Sequence, residues 1–281
     1  MILKISNLSL VLLLFTNHKK KFSILIHLFK GAYLLRRRKI VITFLTFALA
    51  GSLLSNTALA KEDTVNTYEK IDLVGLGDSI TFGFNLGTNN NIPSNYAFPF
   101  LIGEKANLEV HDLGVPGWTT ANLLQAIKYD TNFRQSIKHA DYITLDIGNN
   151  DLLHTLKKSN HLEQLPGKIA SMMPKLTGNL NEIIKEIREL SDAPIVLYNF
   201  YNPFQENNQP MHKLSNQLLS FIINPKIASI EGKYKNVKIA DAFSAFDEKQ
   251  ATYVRQGDIH TTIDGQTVLA NIGRNALGIK K

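Results

Sequence analysis

Apolar residues in this chain gather into short runs set between longer amphipathic stretches. Ile71 to Val74, Leu108 to Leu113, Tyr142 to Ile147, Ile195 to Tyr198 and Val237 to Ala240 carry β-branched or aromatic residues and end near Gly, Asp or Asn. Runs of that length between turn residues read as buried strands. Crossover-sized segments separate them, which predicts a parallel sheet with helices on both faces, a three-layer α/β/α domain of about five strands. The clearest helix is expected over 169–190, where Met172, Met173, Leu176, Leu180, Ile183, Ile184, Ile187 and Leu190 recur at steps of three and four. Pro174 predicts a first turn or a kink near its start. Weaker helices are expected over 96–106, 120–129, 212–223 and 265–277, with Asp264 as a cap for the last. Residues 85–94 and 200–210 are long irregular segments of the kind that shape a substrate mouth.

Charge divides the chain sharply. Residues 1–60 hold nine Lys or Arg and no acid, whereas residues 61–281 hold 22 basic and 24 acidic side chains. The formal +7 therefore belongs to the leader, and the remainder, near −2, gives no support for nucleic-acid binding. Arg36, Arg37, Arg38 and Lys39 precede an apolar run from Ile40 to Leu54, and Ala58-Leu59-Ala60 supplies the small residues of a cleavage site. This order reads as a secretory signal peptide over 36–60, cut after Ala60. The expected destination is secretion or the cell envelope, with no stable membrane span once the leader is removed. Residues 1–35, with a second apolar stretch and a Lys-rich patch, do not fit that pattern and suggest a true translation start near Leu34 or Leu35. Residues 61–70 read as a polar tether and 71–281 as a single domain. The absence of cysteine excludes disulfides, a lipid-anchored cysteine and thiolate metal sites.

The densest chemistry lies in Ile71 to Gly83, I-D-L-V-G-L-G-D-S-I-T-F-G. A serine where a parallel strand turns into a helix lies at the carboxyl edge of the sheet, where open α/β folds place their sites. Backbone N–H groups at such a turn can stabilise a developing oxyanion. Gly-Asp-Ser is also ordinary turn chemistry. Gly75, Gly77 and Gly83 distantly suggest a phosphate-cradling loop, yet the third glycine of a dinucleotide fingerprint is missing and no Gly-Lys-Ser/Thr ending follows.

Four separated blocks in order then give a resemblance. The chain resembles the GDSL or SGNH hydrolase family, within it the secreted lipase/acylhydrolase branch of low-GC Gram-positive bacteria, over essentially all of Ile71 to Leu277. The resemblance implies a flavodoxin-like α/β/α fold and a secreted serine esterase acting on a small ester or an acylated lipid or glycan, without metal or other cofactor. The first block is Gly77-Asp78-Ser79-Ile80, implying Ser79 as nucleophile and its own N–H as an oxyanion donor. The second is Asp112-Leu113-Gly114-Val115-Pro116-Gly117, implying the Gly114 N–H as a further donor, with glycine sparing room for the acyl group. The third is Gly148-Asn149-Asn150-Asp151, implying the Asn150 amide as a third donor and leaving Asp151 as a helix cap. Tyr198 to Phe204 contains a Y-N-P-F segment typical of the branch, with no role attached.

The fourth block, Gly257-Asp258-Ile259-His260, implies His260 as the base, with His154 in reserve. It departs from the family pattern, in which the acid precedes His by three residues and proline follows it. Here Gly257 takes the acid's place, Asp258 stands one residue closer, and Thr261 replaces proline. Either Asp258 orients the imidazole through a reshaped loop, or a main-chain carbonyl does so in a Ser–His dyad. Failing both, the chain is a weak or inactive member that binds a cell-envelope ligand. Phe82 and Trp118 are candidates for an acyl pocket or for the core.

Overall fold

The computed structural model describes residues 70–159 and 161–280. The leader, the signal peptide and all of the tether before Lys70 lie outside the described residues. Five strands form close to the expected positions: β1 (Asp72–Gly77), β2 (Glu109–Gly114), β3 (Tyr142–Asp146), β4 (Ile195–Tyr198) and β5 (Val237–Ala240). They make one parallel sheet in the order β2-β1-β3-β4-β5, which is the flavodoxin-like order. Its crevice for ligands opens at the carboxyl ends of β1 and β3, where the winding reverses.

The period of two along each strand divides the core. Val74, Leu76, Ile143, Leu145, Ile195 and Leu197 face one helical layer, while Leu73, Val196 and Tyr198 face the other. In chain order the helices are α1 (Ser79–Phe82), α2 (Phe98–Ala106), α3 (Thr120–Tyr129), α4 (Thr131–His139), α5 (Asn149–Lys157) and α6 (Leu165–Arg188). They continue with α7 (Gln209–Leu218), α8 (Asn224–Ala228), α9 (Ala242–Phe246), α10 (Gln250–Tyr253) and α11 (Ile263–Leu277). Helices α3, α4 and α6 cover the first face, and α2, α9 and α11 the second.

Several helices depart from expectation for identifiable reasons. α6 begins at Leu165 with Pro166 in its first turn, so Pro174 lies inside the helix. Pro174 and Ala170 are both exposed, and the Ala170 carbonyl that lacks an N–H partner is therefore open to solvent. α11 is capped by Thr262, whose hydroxyl accepts the Gly265 N–H, while Asp264 lies inside the first turn. α4, in which only Phe133 and Ile137 are buried, lies outside the expected helices, whereas α5 begins at the strand-to-helix junction expected around Asp151 but buries no residue fully.

At Gly77 the strand end permits no side chain: a Cβ there would collide with the Asp146 carbonyl and the Thr81 hydroxyl. Gly77→Ala is accordingly expected to destabilise the domain by roughly 3 kcal/mol, because the colliding partner is backbone and cannot rotate away. Denaturant unfolding of the variant against the parent measures this.

Candidate active site

Ser79 opens α1 immediately after β1 and is almost buried. Asp78 caps this short helix by accepting the Ile80 N–H at 3.0 Å, and Gly83 ends it at φ +68°. As the first residue of the helix, Ser79 has no intrahelical acceptor for its own N–H.

His260 reaches Ser79 from the far end of the chain. Its Nε2 lies 3.1 Å from Ser79 Oγ, and its Nδ1 lies 2.7 Å from Asp258 Oδ1. The displaced acid reaches the ring because the loop is reshaped around it. Asp258 N–H donates to the Arg255 carbonyl, closing a four-residue turn with Gly257 in the left-handed region at φ +70°. Asp258 Oδ1 also accepts the Ile259 N–H at 2.7 Å. Desolvation pushes the Asp258 carboxyl up, but the hydrogen bonds from His260 and Ile259 and the imidazole's charge outweigh it, so the group ends below its ordinary value. Thr261, in the place of the usual proline, is buried and accepts Gln266 Nε2 at 2.8 Å. His154 lies exposed on α5.

Asn150, at the start of α5, lines the same pocket as Ser79. Its Nδ2 donates to the Trp118 carbonyl at 2.9 Å and, more weakly, to Asp78 Oδ2 at 3.3 Å. Asp151 does not cap its own helix. Its carboxylate accepts the N–H and hydroxyl of Thr120 at 2.9 and 2.8 Å, tying α5 to the first turn of α3.

Gly114 departs from the implied role. Its N–H is spent on Asp112 Oδ1 at 2.8 Å. Glycine is required there because a Cβ would come 2.6 Å from the Phe82 nitrogen, where β2 meets α1, and not because of an acyl group. Three residues on, Val115-Pro116-Gly117-Trp118 makes a turn closed by Trp118 N–H to the Val115 carbonyl, with Gly117 at φ +83°. Proline second and left-handed glycine third match a type II turn. The Gly117 N–H has no backbone or side-chain acceptor among the described residues.

Phe82 and Trp118 do not line the pocket at Ser79. Phe82 is buried, and Trp118 stacks on Phe133 with ring centroids 5.6 Å apart. The pocket walls come instead from Leu152, Leu156, Leu165, Phe200, Met211 and Leu218, on α5, α6, α7 and the segment after β4. Gln266 was also missed. Buried in α11, it accepts the Phe98 N–H at 2.7 Å and donates to the Ile80 carbonyl at 3.0 Å and to Thr261, bracing the serine helix against the histidine loop. A glutamine on the apolar spacing of Leu269, Ala270 and Gly273 was the available signal. Among the described residues no cluster of three His, Asp or Glu is arranged to hold a metal.

A parallel sheet wound in this order, with serine and asparagine beyond adjacent strand ends and histidine brought over from the last loop, defines an SGNH-type ester hydrolase fold. The chain belongs to the GDSL-like Lipase/Acylhydrolase family, whose model matches residues 76–268. A relative from Bacillus subtilis (strain 168), the uncharacterized protein YpmR, is 26% identical over 221 residues, covering 77% of this chain and 85% of its own. The lipase Lip_vut3 from a goat rumen metagenome superposes with a TM-score of 0.58 at 21% identity, over 75% of this chain and 99% of its own. An acetylxylan esterase from Geobacillus stearothermophilus gives 0.55 at 18% identity, over 75% and 95%. These two structures share the fold and differ in the substrates their names give.

Beside the serine turn, Asp112 Oδ2 is shut from solvent without a partner. Burial pushes this carboxyl up to about 7, against the opposing hydrogen bond from Gly114. A carboxyl raised in this way holds its proton more tightly folded than unfolded, so stability is full at low pH and is lost as pH rises through the folded value. Unfolding free energy is expected to fall between about pH 4 and about pH 7, by up to a few kcal/mol, and Asp112→Asn to flatten that slope. Denaturant titrations at several pH values measure both.

Proposed function

We propose that the chain is a serine esterase that cleaves carboxylic esters through an acyl-serine intermediate. The observation that carries this reading is the unbroken sequence of contacts from Ser79 Oγ to His260 Nε2 and from His260 Nδ1 to Asp258 Oδ1. His260 takes the hydroxyl proton as Ser79 Oγ attacks the ester carbonyl, then gives that proton to the departing alkoxide. Water, deprotonated by the same imidazole, attacks the acyl-serine, and as the acyl–Oγ bond breaks the imidazolium returns that proton to Ser79 Oγ, releasing the acid and restoring the hydroxyl. Asp258, ionised, keeps the Nδ1 proton facing it and stabilises the imidazolium that forms.

Charge on the tetrahedral oxygen is met by the Ser79 N–H and the Asn150 amide. Gly117 replaces Gly114 as the third donor in this reading. Its N–H is uncommitted, and the Asn150 amide is bonded to the carbonyl of the very next residue, Trp118. Donors fixed before the reaction favour the tetrahedral state over the planar ester.

The apolar walls support an ester with a hydrocarbon acyl chain in preference to an acetyl group, since each methylene placed there leaves water. The reading as an inactive binding protein rested on the displaced acid, and the 2.7 Å contact from Asp258 to the imidazole favours activity instead. Export through the 36–60 segment belongs to the same proposal. It rests on the basic, apolar and Ala-Leu-Ala order, and N-terminal sequencing of protein from the culture medium is expected to begin at Lys61.

The purified protein is expected to hydrolyse p-nitrophenyl decanoate with a higher kcat/KM than the acetate. Ser79→Ala is expected to abolish both activities, and Asn150→Ala and Asp258→Asn each to lower kcat by roughly a hundredfold or more. Activity surviving in the serine variant ends the proposal, and an unchanged rate in the aspartate variant removes Asp258 from it.

A further inference from the structure

The Asp258 carboxylate orients the imidazole within its own loop. The ring Nδ1 and the Ile259 and His260 N–H groups that face Asp258 Oδ1, at 2.7, 2.7 and 3.4 Å, all belong to the next two residues. A closed local ring of this kind says nothing about where the loop sits relative to Ser79. That must come from a partner elsewhere in the fold. The His260 carbonyl accepts the Arg255 N–H at 2.9 Å within the same loop, and the Arg255 guanidinium donates to the Asn85 carbonyl at 2.9 Å, an exposed contact on the loop's outer side.

The Ile259 carbonyl, on the peptide that leads directly into His260, accepts the Tyr201 hydroxyl at 2.7 Å. Tyr201 follows β4 by three residues, and its ring stacks on Phe246 of α9 with centroids 4.5 Å apart at 19°. Phe246 in turn meets Tyr253 edge-on at 5.4 Å, and the Tyr253 carbonyl accepts the Thr262 N–H at 2.9 Å. Tyr201 is therefore joined to the helical layer by its ring and to the histidine loop by its hydroxyl. It is almost buried, and burial, with the nearby Asp146, Asp78 and Asp258 carboxylates, holds its phenol well above the usual range, so the hydroxyl keeps its proton.

We infer that Tyr201 is a positioning residue for the ester hydrolysis proposed above: its hydroxyl fixes the Ile259–His260 peptide so that the imidazole faces Ser79. It touches no reacting atom. Its role rests on the serine-esterase reading but is specific to this chain's arrangement, in which the acid stands within two residues of the histidine and cannot set the loop's place by itself. The tyrosine of the Y-N-P-F segment thereby acquires a function. The asparagine beside it has a different one: Asn202 Nδ2 donates to the His212 carbonyl at 3.0 Å and to Asn216 Oδ1 at 2.7 Å, holding α7 against the pocket.

The test is Tyr201→Phe in the full chain, which keeps the stacked ring and removes one oxygen. With p-nitrophenyl acetate, too short to depend on the pocket walls, kcat is expected to fall about tenfold with KM within about twofold, the scale of one net hydrogen bond. The melting temperature is expected to stay within a few degrees. The downfield proton resonance of His260 Nδ1–H is expected to shift or broaden, because the ring loses its fixed orientation. An unchanged kcat with an unchanged resonance overturns the inference, as does a rise in KM alone, which makes Tyr201 a pocket wall and no more. A parent protein that shows the resonance but cleaves no ester defeats the esterase reading, and the effect of the variant on the resonance still decides the positioning role.

Discussion

Everything at the carboxyl edge depends on β1 being hydrogen-bonded on both sides. Gly77 is level with Gly114 of β2 and with Asp146 of β3, and the Asp78 N–H adds one more bond to the Asp146 carbonyl beyond the strand. Three strand ends held level make neighbours of whatever follows each of them, however far apart in the chain. Ser79, the turn at Gly117 and Asn150 meet for that reason. The bare backbone at Gly77 and Gly114 lets the ends approach closely enough for α1 to start between them.

Histidine is held by a different logic. The loop that carries it lies outside the sheet, and no strand register places it. Local hydrogen bonds shape that loop around Asp258, and long side chains attach it to the remainder of the fold: Tyr201 and Gln266 from outside the loop, and Arg255 from within it to the Asn85 carbonyl. Displacement of the acid by one position is tolerated because Gly257 can take up φ +70°, letting the turn tighten by the residue that is missing. The serine turn is thus rigid by sheet pairing and the histidine loop by side-chain anchorage, and the 3.1 Å between Oγ and Nε2 reflects both.

β1, β3 and β4 were legible because each is short, apolar, bounded by turn residues and buried almost throughout, while the edge strands β2 and β5, only partly buried, were legible from their β-branched and turn residues. Ser79, Asn150 and His260 were singled out from motif order, and the coordinates bring all three to one place. What was illegible depends on partners remote in sequence. Nothing local to Gly114 reveals that Asp112 takes its N–H, and nothing local to Asp151 reveals that its oxygens serve α3. Phe82 and Trp118 sit beside motif residues along the chain but point into packing, whereas the walls come from the later turns of α5, from α6 and α7 and from Phe200. Pro174 reads as a helix boundary until its exposed side is known, since solvent can satisfy the carbonyl it leaves free.

α5 stands apart from the other helices around the sheet in having no side chain fully withdrawn from solvent. Its leucines 152, 153 and 156 look onto the pocket void, so a hydrocarbon guest would complete a packing layer that the polypeptide leaves unfinished. The first turn of the helix carries Asn150, the amide proposed above to meet the tetrahedral oxygen. Occupancy of the void and firmness of that amide are therefore joined in one element, and the catalytic edge is tightest when it is loaded.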